Sequence, residues 1–240
     1  MQIPFGEWLP DQPEYLNPGA NTANNVYFAA QSYKRFPSLV AYSSNNMGAN
    51  SRGAGSFRDN SNTVFNFVAN NTDIYQLDGG SFTSRKSSLT GTNTDYFTFT
   101  QFGNYVIASN GVDAPQYYLM GTSTNFANLS SIATSGTVPV FRVSGVVRDF
   151  LVTGNHSTAS NKIQWSGIND ITTWAAGTKQ SDSQELPGSG GEIVHITSGE
   201  IAYVFRQNQI IRMDYVGGAT VFRLSVISPN RGAVYGRTVC

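Results

Sequence analysis

The stretch that decides the fold is TVFNFVANNTDIYQL, residues 63–77. Two short runs of aromatic and β-branched residues flank the polar cluster Asn70-Asn71-Thr72, which is the pattern of two strands joined by a turn. The same layout recurs three more times: GNYVIASNGVDAPQYYLM (103–120), RDFLVTGNHSTASNKIQWS (148–166) and IAYVFRQNQIIRMDY (201–215). The chain therefore carries four copies of one predicted hairpin.

The spacing of these hairpins matches the length of a propeller blade. Their aromatic markers, Phe65, Tyr105, Phe150 and Tyr203, follow one another at steps of 40, 45 and 53 residues, and a blade takes ~40–50 residues. One hairpin is marginal alone, so neighbours must bury their aromatic residues against each other. We predict an all-β protein with a β-propeller-like array of short antiparallel hairpins. A β-sandwich or barrel is the alternative, because turns recur at similar intervals there.

Two further features complete the predicted organisation. Asn25–Ala30 and Ser38–Tyr42 form a strand pair ahead of the hairpins, which gives about five blade-like elements. A short helix is expected only around Asn125–Ile132. The propeller-like domain is predicted to span residues 25–240, and it need not be complete at its C-terminal end.

Residues 1–24 are predicted to form an extended N-terminal arm. The stretch IPFGEWLPDQPEYLNPGA (3–20) contains four of the nine prolines, which fix φ and remove backbone donors. Aromatic residues dominate interface hot spots, so we expect Phe5, Trp8 and Tyr15 to anchor the arm on a neighbouring subunit. Packing on its own domain is the alternative. Lys34 and Arg35 are expected to contact a carboxylate of an adjacent ring or a DNA phosphate.

The composition excludes several function classes. Charged residues make up 12% of the chain and the net charge is zero, so neither a classical disordered chain nor a strongly basic duplex binder is indicated. The single cysteine, Cys240, provides no disulfide framework and no CxxC metal site within one chain. No apolar run approaches the length of a membrane span, so no membrane anchor is expected.

Residues with catalytic or metal-binding chemistry are few. The chain has two histidines: His156 lies in the polar stretch TGNHSTASN and is expected to be exposed, and His195 lies in the alternating stretch EIVHITS and is expected to be half-buried. They share no motif, and no nucleophile elbow is present. The Gly-rich stretch 187–192 lacks the residues of a phosphate-binding loop and is predicted to be a flexible connection. We assign no catalytic, metal or cofactor-binding residue, and expect no enzyme activity.

The sharpest local motif is QWSGINDITTW, residues 164–174. Its Ser166, Asp170 and Trp174 suit a structural turn in which the aspartate accepts backbone N–H groups and the tryptophan covers the hairpin. The motif is loosely similar to the Asp-box of sialidase propellers but lacks its glycine. We predict a structural role for these three residues.

The order of several motifs resembles a family of tailed-phage proteins. These motifs are DQPEYLNPGANTANNVYFAAQSYKRFPSLVAYS (11–43), DAPQ (113–116), VVRDFLVTGN (146–155), QWSGINDITTW (164–174) and ISPNRGAV (227–234). The family comprises the propeller-bearing tail nozzle or tail tubular protein B type, with the related packaged-DNA stabilisation hub proteins of short-tailed phages. The resemblance covers most of the chain. Family members typically continue beyond the segment that corresponds to NRGAV.

The resemblance implies a non-enzymatic virion protein at the head-to-tail interface, made in the host cytoplasm. Family members form rings, usually of six copies, on portal or adaptor proteins and adjoin tail tube or tail fibre proteins. The ring retains packaged double-stranded DNA as a stopper and gates its ejection. A neutral surface is consistent with DNA passing without sequence-specific binding. The alternative is a carbohydrate-binding or sialidase-like propeller that engages host surface glycans.

Overall fold

The computed structural model describes residues 6–29, 32–236 and 239, and the chain divides into two compact units, Met1–Tyr42 and Ser43–Cys240. The predicted anchor Phe5 lies outside the described residues. The first unit contains a short 3-10 helix, Glu14–Leu16, and two antiparallel strands, β1 (Val26–Ala29) and β2 (Ser32–Arg35). This strand pair therefore belongs to the first unit.

The partner of β1 differs from the sequence prediction, which placed it at Ser38–Tyr42. The strand that pairs with β1 is β2, and the ladder continues with a hydrogen bond from the Phe36 amide to the Asn25 carbonyl. Pro37 follows immediately and has no N–H group to extend the ladder. Beyond it the apolar residues that suggested a strand are exposed, and Leu39 is 95% accessible to solvent.

The second unit consists of four antiparallel sheets of four strands, each sheet built from consecutive strands. We call them blades 1 to 4. Blade 1 contains β3 (Gly53–Arg58), β4 (Val64–Ala69), β5 (Ile74–Asp78) and β6 (Ser81–Lys86). Blade 2 contains β7 (Thr98–Phe102), β8 (Tyr105–Ser109), β9 (Gln116–Leu119) and β10 (Ala127–Asn128).

The remaining blades have the same order. Blade 3 contains β11 (Phe141–Val147), β12 (Phe150–His156), β13 (Ala159–Trp165) and β14 (Asp182–Glu185). Blade 4 contains β15 (Ile193–Ile196), β16 (Ile201–Arg206), β17 (Ile210–Tyr215) and β18 (Phe222–Ser228). The predicted all-β, propeller-like class is confirmed. The five predicted elements correspond to four four-stranded blades and the two-stranded sheet of β1 and β2. The expected helix near residue 125 is a 3-10 turn, Leu129–Ile132, after β10.

Each repeated hairpin of the sequence forms the second and third strands of one blade. The second strand alternates between the two faces of its sheet, because successive side chains of a strand point to opposite sides. In blade 2, Val106 and Ala108 belong to the apolar cluster shared with blade 1, whereas Tyr105 and Ile107 belong to the cluster shared with blade 3. The apolar repeat therefore reflects blades that stack on their neighbours, and blade 2 is buried on both faces.

The buried core lies between successive blades and forms three clusters. One joins blades 1 and 2, with Phe67 and Phe126 in edge-to-face contact at 5.0 Å. A second joins blades 2 and 3, and a third joins blades 3 and 4. Within the described residues, no cluster contains side chains of both blade 4 and blade 1. The blades thus form a row of three apolar interfaces with an end face at blade 1 and another at blade 4.

Candidate functional site

The N-terminal arm doubles back on itself instead of running as one extended segment. The Leu9 amide donates to the Ala20 carbonyl at 2.9 Å, and the Ala20 amide donates to the Glu7 carbonyl at 2.8 Å. Asn17 holds the return, because its side-chain amide donates to the Leu9 carbonyl while its oxygen accepts from the Gly19 amide. Prolines fix φ locally, but the Asn17-Pro18-Gly19 step reverses the chain and closes residues 7–20 into a loop.

The predicted anchors of the arm are on the surface of this loop. Trp8 is 57% exposed, and its indole N–H donates to the Asn21 carbonyl at 3.2 Å. Tyr15 is 83% exposed and sits in the 3-10 helix. Lys34 and Arg35 are exposed on β2, where they lie opposite Tyr27 and Val26. The loop therefore presents aromatic area without burying it in its own unit.

The motif at residues 164–174 forms a tightly bonded turn in blade 3. Asp170 accepts the Thr172 amide at 2.8 Å, the hydroxyls of Thr172 and Thr173, and the Lys179 ammonium at 2.6 Å. Burial of Asp170 favours its neutral form, but the bonds from Lys179 and the threonines outweigh burial and hold its pKa well below the usual range. The carboxylate is therefore ionised, and both of its oxygens accept hydrogen bonds from residues of the turn.

Ser166 and Trp174 fix the two ends of the same turn. Ser166 accepts the Leu151 amide through its hydroxyl at 3.1 Å and donates to the Gly167 carbonyl. Trp174 is buried, and its indole N–H donates to the Ile171 carbonyl at 2.7 Å. The hydrogen bonds described for these three side chains all lie within blade 3, which agrees with a structural role for the turn.

The two histidines lie in different blades. His156 was expected in an exposed turn, but it is buried at the end of β12, where a bulge between Gly154 and His156 turns it inward beside the Thr153 hydroxyl. Burial, reinforced by the charge of Lys162, lowers the pKa of His156 to about 4. His195 is half-buried in β15, and burial lowers its pKa as well. Both imidazoles are neutral near pH 7.

A cleft of about 620 Å³ opens where the first strands of blades 2, 3 and 4 begin. Its walls come from these strands and from the segment that follows β18. The lining residues are Tyr96, Phe97, Thr98, Arg142, Val143, Asn155, Glu192, Val194, His195, Val234, Tyr235, Gly236 and Val239. Sequence reasoning did not identify this cleft, because its residues are far apart in the chain and meet only when the blades stack.

The charged groups of the cleft are held by neighbours. Arg142 forms an ion pair with Asp95 at 3.3 Å. Burial of Asp95 opposes ionisation, but bonds from Thr92 and the Arg142 charge lower its pKa overall. Glu192 accepts from the side-chain amides of Asn155 and Gln207 at 3.3 and 3.1 Å. The cleft thus offers aromatic surface together with charged groups that are already paired or hydrogen-bonded.

A fully buried arginine closes the cleft end of blade 4. Arg206 donates to the carbonyl oxygens of Pro187, Gly188 and Gly191 and to the amide oxygen of Gln209. Burial lowers the pKa of Arg206 from its ordinary value. The Gly-rich connection, predicted to be flexible, is therefore bound by a side chain. A Cβ atom at Gly190 would lie 2.6 Å from the guanidinium carbon, so a larger residue there would displace the Arg206 side chain.

The two end faces of the row differ. Against blade 1, the side chain of Asn45 exchanges hydrogen bonds with the Phe82 backbone, and the Met47 carbonyl accepts from Asn70. On blade 4, the segment after β18 contacts the cleft end, where the Ala233 amide donates to the Arg206 carbonyl. The opposite end of the blade 4 face exposes Ile201 and Tyr203 by 40% and 37%. This end face of blade 4 is an exposed apolar surface, as is the arm.

The described part of the chain contains neither a metal-binding cluster nor a membrane-spanning helix. Across residues 6–29, 32–236 and 239, no group of three His, Cys, Asp or Glu side chains is placed to hold a metal ion. Among those same residues, no helix is long and apolar enough to span a bilayer. Neither finding assigns a function.

Comparison of the sequence with protein-family models and with curated proteins gives no match. Three solved structures are similar in fold. An inactive virginiamycin B lyase from Staphylococcus aureus with quinupristin is 12% identical (TM-score 0.48), and the alignment covers 79% of this chain and 57% of the lyase. An auxiliary nutrient binding protein from Bacteroides thetaiotaomicron is 14% identical with a TM-score of 0.49, and the alignment covers 76% of this chain and 43% of that protein. The computationally designed Ika4 protein is 15% identical with a TM-score of 0.42, and the alignment covers 80% of this chain and all of the designed protein.

These likenesses concern the fold alone. The chain spans about half the length of the first two proteins, and all three identities are too low to transfer a site or an activity. The TM-scores are below 0.5, so no residue correspondence is drawn from them.

Proposed function

We propose that the chain is a structural protein of a tailed-phage virion, placed in the head-to-tail connector or the tail nozzle or hub. Its copies, six by the family resemblance, form a ring that retains packaged DNA and opens for ejection. The observation that carries the proposal is the apolar surface. Large apolar side chains are exposed on the arm and on the end face of blade 4, as a subunit of a permanent assembly requires.

The electrostatics support a channel component. The chain has equal numbers of acidic and basic residues, and the Arg142 and Lys179 charges are paired with Asp95 and Asp170. Affinity for duplex DNA rises with each phosphate that a cation neutralises. A neutral surface therefore lets DNA slide through a ring without being gripped.

We also propose that the protein is not an enzyme. The strongly perturbed titratable groups have structural partners: Asp170 and Arg206 bind loops, and His156 contacts Thr153 inside blade 3. Perturbed groups mark an active site when they converge in a cleft, and these lie in separate places. The protein then acts by assembling.

Electron microscopy of the protein alone and bound to its portal or adaptor ring tests this function. We expect a ring with an axial channel below the portal, together with light scattering that reports several copies. A protein that stays monomeric at high concentration and adds no density below the portal would overturn the proposal.

A glycan array tests the alternative in the same preparation. A sialidase-like site needs an arginine cluster, whereas the cleft is lined by one arginine, Arg142, which is paired with Asp95. We expect no glycan to bind above background. Selective binding that is lost on substitution of Arg142 would favour the carbohydrate-binding function over the virion function.

A further inference from the structure

The repeat predicts what the end face of blade 4 should contact. Phe65, Tyr105 and Phe150 each point from the second strand of their blade into the cluster shared with the following blade. Phe150, for example, meets Phe222 of blade 4 at 5.1 Å in edge-to-face geometry. Tyr203 holds the same place in blade 4, since its neighbours Ala202 and Val204 face blade 3. Tyr203 therefore points in the direction in which the other three residues meet the following blade, but no blade follows blade 4 within the described residues.

The end face combines an apolar centre with positive charge. Tyr203 lies opposite Arg212, Ile201 opposite Asp214, and Phe205 opposite Ile210 in the β16–β17 ladder. Asp214 is mostly buried and binds Arg212 at 2.8 Å and Arg223 at 3.7 Å. Two arginines share one carboxylate, so the exposed charge of this face is positive. A partner should carry aromatic residues and carboxylates.

The N-terminal loop has that chemistry. Trp8, Tyr15 and Leu16 are all more than half exposed. Between residues 6 and 16 the loop carries three exposed acidic side chains and no basic one; these acids are Glu7, Asp11 and Glu14. Aromatic groups surrounded by charges that complement the partner are typical of interface hot spots. The loop and the end face thus match in both apolar area and charge.

We propose that the end face of blade 4 binds the loop Glu7–Leu16 of a neighbouring copy. Because the two surfaces differ, the contact is heterologous, and such contacts close into a ring when the rotation between copies allows it. This inference rests on the proposed function, since it names the interface that holds the ring together. Trp8 and Tyr15 fill the apolar centre beside Tyr203, while Glu7 and Glu14 face Arg212 and Arg223.

Matched single substitutions in the full chain test the contact. Ile201→Glu places a carboxylate on the end face, and Val64→Glu makes the same change on β4 at a side chain of similar exposure on blade 1. We expect Ile201→Glu to weaken self-association, measured by analytical ultracentrifugation, by about tenfold or more. Val64→Glu should leave it within about twofold of wild type. Thermal unfolding of both variants checks that the blades remain folded.

A mixing experiment identifies the partner surface and tests contact between copies. Trp8→Ala/Tyr15→Ala chains retain the end face, and Tyr203→Glu chains retain the loop, so each preparation alone should lose the ring. Their mixture should form a one-to-one heterodimer, because one intact interface remains per pair. Charge exchange adds a second readout: Arg223→Glu should weaken association, and Glu14→Arg in the same chain should restore it.

The outcomes separate this inference from the proposed function. Rings that persist in Ile201→Glu and Tyr203→Glu overturn the interface but leave the ring function standing. The wild-type chain could associate without forming a ring or binding the portal. If Ile201→Glu abolishes that association, the result supports the interface and overturns the proposed function. Mixtures that show no heterodimer overturn the contact between copies. A wild-type chain that is monomeric alone and on the portal overturns both proposals.

Discussion

Arg206 donates a hydrogen bond to the carbonyl oxygen of Pro187 at 2.8 Å, and this bond ties the second strand of blade 4 to the connection that leads into the blade. The arginine is fully buried, and its described partners are neutral oxygens. A buried charge is costly unless every donor is used. Arg206 therefore holds the Gly-rich connection through three of its carbonyl oxygens.

We expect Arg206→Met to destabilise the protein by about 2–4 kcal/mol, because several buried carbonyl groups would lose their donor. Urea unfolding followed by tryptophan fluorescence measures the change. Arg58→Met, at an exposed side chain of blade 1, is the control and should shift stability by less than about 0.5 kcal/mol. Equal effects of the two substitutions would show that the Arg206 bonds contribute little.

Asp170→Asn should destabilise blade 3 near pH 7 by about 1–2 kcal/mol, because the Lys179 ion pair is lost and the threonine bonds weaken. The folded pKa of Asp170 is depressed, so its contribution is present above the unfolded pKa of about 4 and is lost as pH falls toward the folded value. Urea unfolding between pH 7 and pH 2 should show the variant losing less stability on acidification than wild type. Asp78→Asn, at an exposed carboxylate, should keep the wild-type profile.

His156 should titrate near pH 4 in the folded protein, which NMR of the imidazole resonances measures directly. Its folded pKa lies below the unfolded value of 6.5, so the unfolded chain binds a proton first as pH falls. Stability is then lost from about pH 6.5 downward to about pH 4, by roughly 2–3 kcal/mol. His156→Gln should remove this part of the pH dependence. A titration midpoint near 6.5 would mean that the ring is accessible to water.

Gly19→Ala should open the N-terminal loop, because a Cβ atom at this position would lie 2.0 Å from the Glu7 carbonyl oxygen. We expect faster proteolysis within residues 7–20 and a red shift of Trp8 emission, while the melting temperature of the blades stays unchanged. Gln12→Ala, at an exposed position of the same loop, is the comparison variant. Identical proteolysis patterns for both variants would contradict the close approach of Gly19 and Glu7.

The second and third strands of every blade were predictable from the sequence, because at least one face of each carries buried apolar residues and the hairpin recurs at regular steps. The first and fourth strands of a blade were harder to predict from the sequence. Strand β3 contains two glycines, and β14, Asp182–Glu185, contains no apolar residue. Both strands are defined by the ladder with their neighbour, which local sequence does not encode.

The errors and omissions have similar physical causes. The apolar stretch after Pro37 looked like a strand but has no partner ladder, and His156 looked exposed because the bulge that buries it depends on Asn155 at a positive φ of 53°. Arg142 and Asp95 lie 47 residues apart and meet through blade stacking. The role of the arm residues as anchors stays a prediction. The apolar face of blade 4 could be recognised only once alternate residues of strand β16 were assigned to the two sides of the sheet.

The row of three apolar interfaces has a consequence for how the protein unfolds. Among the residues that the structure describes, blades 2 and 3 share an apolar cluster with a blade on each side, whereas blades 1 and 4 share one with a single neighbour. In such a quasi-linear array the free energy of opening falls toward the ends, so loss of structure begins at the terminal blades and spreads inward. A subunit that covers the outer side of blade 4 would make that end as slow to open as the middle. Assembly would then stabilise the terminal blade against local unfolding, in addition to arranging the copies in a ring.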